Sequence, residues 1–164
     1  MQKVDRMLMA ILAGVVGLVL IAFAILLTRP KPSYLPDNTP GAAVHNYLLA
    51  LQLADDSRAY SYVSPTLSGY PKNLDAFQRS IQTERYVFDG LKTATFDVGE
   101  GAPAGNTASV SVAQHNVDSG GIFGSSGNST TVIFRLQRNT QTGAWQIVHA
   151  DDFWPYCWEY AQSC

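Results

Sequence analysis

Charge is the scarcest ingredient of this chain. Acidic and basic residues make up 15% of its 164 residues, 13 against 11, for a formal net charge of −2. With no basic stripe interleaved with aromatics, the chain lacks the electrostatic footprint of a nucleic-acid binder. Histidine occurs three times, at His45, His115 and His149, and cysteine twice. Neither type is spaced as a zinc set, so no metal ligand is assigned. A G-x-S-x-G elbow, a phosphate loop and a G-x-G-x-x-G turn are all missing, and no catalytic residue or cofactor is expected.

From Met7 to Leu27 charge is lacking altogether. A helix of this length rises roughly 30 Å, the thickness of a bilayer's hydrocarbon core. It stops at Thr28-Arg29-Pro30-Lys31-Pro32, where charge and proline mark an exit into water. A cleavable leader is the rival reading, with Lys3 and Arg6 as its basic region and Ala22-Phe23-Ala24 as its cut site. The run is longer than the usual leader core, and a cut there leaves Ile25-Leu26-Leu27 at the new terminus. The expectation is therefore a retained single-pass anchor over residues 1–29 in the cell membrane. Flanking basic residues are nearly balanced, and the short leading tail favours a cytoplasmic N-terminus with the rest extracytoplasmic. Ala10 and Gly14 are four apart, as are Ala13 and Gly17. That spacing allows close approach of another membrane helix.

Residues 30–40, rich in proline and polar side chains, read as an extended linker. Residues 41–164 have the length of one domain. Thr39-Pro40 announces a helix with Val44, Tyr47, Leu48 and Leu51 as its apolar stripe. Asp55-Asp56-Ser57 could cap a short second helix ended by Pro65, and Asn73 starts a third that buries Leu74, Phe77 and Ile81. The period then turns to alternation. A long strand, either continuous or broken at Asp89-Gly90, is expected over Tyr86–Val98, followed by strands through Ala108–Val112, Val132–Leu136 and Trp145–His149. Helices followed by an antiparallel meander make an α+β plan.

The segments "GAAVHNYLLALQLADDSRAYSYVSP", "NLDAFQRSIQ" and "GAWQIVHAD" together resemble the NTF2-like, cystatin-like superfamily, and within it the small anchored or secreted bacterial members. The resemblance covers residues 41–152. It implies three helices packed on a curved antiparallel sheet, forming a cone with an apolar interior. It also implies two uses of that cone, as a small apolar ligand site or as an active site with an Asp–His pair. His149, sharing a strand parity with Trp145 and Ile147, would face the interior with Asp97 as its partner. A hydrogen-bonded core histidine is the plainer reading. His45 reads as a partly exposed helical residue.

Two stretches depart from the resemblance. Residues 116–129 form a glycine- and serine-rich loop carrying Ile122-Phe123, either a mobile connector or a partner contact. The tail from Phe153 to Tyr160 is dense in aromatics, which either cover the domain's own sheet or dock a partner through Trp154, Tyr156 and Trp158. Cys157 and Cys164 form a disulfide in an oxidising compartment or remain two thiols. The function expected from all this is a non-catalytic accessory subunit or scaffold. Its partners would be the bilayer and an integral membrane protein complex or further copies of itself.

Overall fold

The structure is a computed structural model that describes residues 2–28, 32–117 and 127–160. It divides into two compact units, residues 1–33 and residues 34–164. The first is a single helix, α1 (Gln2–Thr28). Its window Leu8–Ile25 has a mean hydropathy of 2.9 and is long and apolar enough to cross a membrane. A Cβ added at Gly14 or Gly17 would meet nothing within 4 Å, so the small-residue face is open.

In the second unit, helices α2 (Pro40–Gln52), α3 (Asp56–Ser61) and α4 (Leu74–Thr83) precede strands β1 (Thr95–Val98), β2 (Ala102–Ala104), β3 (Thr107–Val117), β4 (Gly127–Arg138) and β5 (Trp145–Ala150). The sheet is antiparallel with order β1-β3-β4-β5, and β2 continues beside β3 on the β1 edge. Gly101 lets the chain turn between β1 and β2. Its φ is +81°, and a side chain there would press on Val110 at 2.7 Å. The fold is thus α+β, with the helices on the inner face of the sheet.

The helix starts follow their caps. Thr39 accepts from the Ala42 N–H at 3.1 Å, and Asn73 from the Ala76 N–H at 2.9 Å. Each side-chain oxygen satisfies a donor that the first helical turn leaves open. α2 is buried on nearly every side because the sheet covers one face and residues 34–38 cover the other. There the buried Asn46 accepts from the Leu35 N–H at 2.7 Å and donates to the Leu35 carbonyl at 2.8 Å. Asp37 accepts from Tyr62 at 2.7 Å, and the Tyr34 ring lies 3.8 Å under the Arg58 guanidinium. The second half of the expected linker is therefore pinned to the folded unit.

The expected strand from Tyr86 is corrected. Residues 85–88 form a 3₁₀ turn, further turns run to Thr93, and only Thr95–Val98 pairs with β3. Phe88, Leu91 and Ala94 are spaced by three and pack inward, a turn-like period rather than an alternating one. Gln52 donates to the carbonyls of Leu91 and Ala94 at 2.9 and 3.0 Å, which holds the turn against α2.

Along β3 and β4 the alternation holds. Val110 faces Phe134 and Val112 faces Val132 on the inner side, while Ser109 and Ser111 look outward opposite Arg135 and Ile133. Inside, Tyr47, Phe77, Phe134, Phe153 and Trp158 are fully buried, and Trp154 is nearly so. The Tyr47 hydroxyl donates to the Phe153 carbonyl at 2.8 Å. These rings fill the space that the expected cone would have left open.

Candidate functional site

Parity along β5 breaks where it matters most. Leu136 pairs with Ile147 but Arg135 pairs with His149, so Val148 is an extra residue in a β-bulge. One inserted residue reverses the side-chain alternation beyond it. His149 consequently leaves the Trp145/Ile147 face and stands on the outer face opposite Arg135, while Ala150 turns inward. The expected pairing with Asp97 is thereby corrected. β1 and β5 are the two edges of the sheet, three strand spacings apart, on the order of 14 Å. Asp97 instead meets His115 Nε2 at 3.0 Å. Asp97 and His149 are therefore not paired.

His149 lies between two carboxylates. Its Nδ1 is 2.7 Å from Glu159 Oε1 and its Nε2 3.2 Å from Asp151 Oδ1. The neutral ring carries one N–H and can donate to one of them, whereas the imidazolium donates to both. Asp151 is itself placed by β4, since its other oxygen accepts from the Ile133 N–H at 3.1 Å. Glu159 arrives from the tail. The Gly69 N–H donates to the Trp158 carbonyl at 3.0 Å, the Ser68 hydroxyl donates to the Glu159 carbonyl, and a Cβ at Gly69 would collide with the Cys157 carbonyl.

These residues form one wall of a surface cleft of about 510 Å³, lined also by Tyr86, Val87, Ala150, Asp152, Trp154 and Tyr156. Tyr86 and Tyr156 are 67% and 62% exposed, and Tyr156 stacks on Tyr160 at 4.4 Å. Asp152 accepts from the Phe153 N–H at 2.9 Å. Its pKa is raised, because burial disfavours the charged form more than that bond favours it. Trp154 packs edge-on against Trp158 at 4.8 Å, and its Nε1 has no hydrogen-bond partner among the described residues. Phe153, between Asp152 and Trp154, holds the left-handed φ of 56° that swings the tail back over the core.

The structure sorts the expected partner contacts. Trp158 is fully buried, stacked on Phe77 at 5.2 Å with its Nε1 donating to Ser80 Oγ at 2.9 Å. With Trp154 also buried, Tyr156 alone of the three tail aromatics stands out in solvent. Ile122 and Phe123 lie outside the described residues. Cys157 is disulfide-bonded, and Cys164 lies outside the described residues. No group of His, Cys, Asp and Glu among the described residues is arranged to hold a metal. Tyr86 and Glu159 were missed as site residues. For Glu159 the available signal is the acid-flanked aromatic run from Asp151 to Tyr160; for Tyr86 the sequence offers none.

No family model and no curated protein matches the chain. Among solved structures it is similar to a SEC-C motif containing protein from Rhodopseudomonas palustris, at 16% identity over 72% of this chain and 81% of that one, with a TM-score of 0.48. The NTF2-like assignment is corrected. Tyr47, Phe77, Phe134, Phe153 and Trp158 occupy the space under the sheet, which does not enclose the expected cone. What the fold and site define is an α+β domain following an apolar helix, with an acidic, tyrosine-walled cleft at its surface.

Proposed function

We propose that this chain is a membrane-anchored, non-catalytic accessory subunit whose domain docks a partner protein through the Tyr86–Tyr156 cleft. The observation that carries this reading is the contrast among aromatics. Most are drawn into one core, whereas Tyr86 and Tyr156 stand in solvent around one cleft, with Tyr160 stacked on Tyr156. Tyrosine is enriched at protein interfaces because it offers large contact area with few rotatable bonds. The length and hydropathy of α1 support a retained single-pass anchor, and the open face at Ala10, Ala13, Gly14 and Gly17 suits a neighbouring helix. The disulfide at Cys157 supports an extracytoplasmic domain, with Cys164 as its proposed partner.

The test is site-specific photocrosslinking of the full-length protein in its own membranes. A benzophenone side chain at Tyr156 should give a discrete adduct, and one at Ser109 on the outer sheet face should not. Equal adducts from both positions, or none from Tyr156, would refute docking through the cleft.

A further inference from the structure

Both ring nitrogens of His149 meet carboxylates, Nδ1 with Glu159 at 2.7 Å and Nε2 with Asp151 at 3.2 Å. Three separate features build this arrangement. The β-bulge at Val148 puts the ring on the outer face of the sheet. Asp151 is fixed, because its other oxygen accepts from the Ile133 N–H on β4. Glu159 belongs to the end of the tail. The Ser68 hydroxyl donates to its carbonyl, its amide donates to the Tyr156 carbonyl at 3.1 Å, and Tyr160 beyond it stacks on Tyr156.

A neutral imidazole carries one N–H and one lone pair. Whichever nitrogen holds the proton, the other sets its lone pair against a carboxylate oxygen. The imidazolium donates to both carboxylates, and each bond is then charge-assisted. The His149 and Glu159 side chains are 28% and 14% exposed, so water screens their contact only in part. Other groups surround the ring. Asp152 adds negative charge on the same side and accepts from its own neighbour, Phe153. Arg135 stands opposite the ring on β4, but among the described residues no ion pair joins it to these carboxylates. Tyr86, bonded to Glu84, and Tyr156, bonded to Tyr160, have phenols pushed above their ordinary range and stay neutral.

We infer that His149 is a pH-operated clasp: proton uptake by its ring closes it on Asp151 and Glu159 together, and proton loss frees Glu159. Asp151 keeps its bond to Ile133, so Glu159 is the side that lets go. Trp158 stays buried in either state. The clasp therefore governs only the end of the tail beyond it, and with that end the Tyr160 ring stacked on Tyr156. Ordinary carboxyls ionise at about pH 4, and imidazoles change charge between about pH 5 and 8. The clasp is closed on the acid side of neutral, and its hold is lost as the pH rises. It stands whether or not the cleft docks a partner.

Amide hydrogen exchange on the full chain in detergent micelles tests this at about pH 5.5 and about pH 8, each rate taken against the intrinsic rate at that pH. The Glu159 amide should be about three- to tenfold better protected at the lower pH. The Gly69 amide, bonded to the Trp158 carbonyl at 3.0 Å, is the reference and should not follow. His149→Gln keeps a donor that takes up no proton, and should abolish the pH response. Glu159→Gln keeps an acceptor and loses the charge; it should reduce the response too, and serves alone if His149→Gln fails to fold. Equal Glu159 protection at the two pH values, a response that persists in the folded variant, or a parallel rise at Gly69 would each overturn the clasp.

Discussion

Asp152 bears a cost that its neighbours could have removed. It is half-buried beside Phe153, whose backbone is held at a positive φ, and one local N–H is the hydrogen bond it receives. Residues that cost the fold something concentrate at functional sites. The raised pKa gives this a sign. A carboxyl whose folded pKa lies above its unfolded value penalises the folded state once ionised. The penalty is absent below the unfolded pKa and complete above the folded one. Asp152→Asn should therefore raise the thermal unfolding midpoint at about pH 7 and leave it unchanged at about pH 2, where both states carry the neutral acid. A lower midpoint at neutral pH would show that the carboxylate supports the fold. His149 teaches the complementary lesson. Strand parity alone puts it on the inner face, and a single bulged residue reverses that.

At the scale of elements, what was legible was local. Thr39-Pro40 and Asn73 announced α2 and α4 because a cap acts within one turn. Ala108–Val112 and Val132–Leu136 announced β3 and β4 because one buried face imposes a period of two. Tyr86–Thr93 misled because Tyr86, Phe88 and Gly90 can be read as alternation. What stabilises the observed turns, the Gln52 side chain, comes from another element. The bulge at Val148 was equally out of view. It is braced by Asp151 bonding back to β4 and by Glu159 meeting His149 from the tail. Residues 34–38 read as a spacer because their composition is that of one, and Asn46, which secures them, lies on a helix that displays no such role in its apolar stripe. Asn46→Ala should release this strap selectively. Hydrogen exchange at the Leu35 amide should rise by an order of magnitude or more while the β3 and β4 amides stay protected. Unchanged protection at Leu35 would mean that Asp37 and Tyr34 suffice to hold the segment.

For the whole molecule, the division of labour follows from where apolar surface goes. The apolar side chains of α1 have no cover of their own, whereas the domain buries its large rings around Tyr47 and Trp158. Large rings occupy the described interior, and the proposed docking cleft lies at the surface. The central claim, a membrane-anchored subunit that docks through the Tyr86–Tyr156 cleft, is tested most directly by native mass. The full-length protein, extracted from its own membranes in mild detergent, is compared with the Tyr86→Ser/Tyr156→Ser double variant. Both tyrosines are exposed, so their loss should leave the fold intact. The account predicts that the wild-type chain runs in an assembly larger than its micelle-bound monomer and that the double variant falls to the monomer. A wild-type protein that runs as a monomer, or a double variant that stays fully assembled, would contradict it.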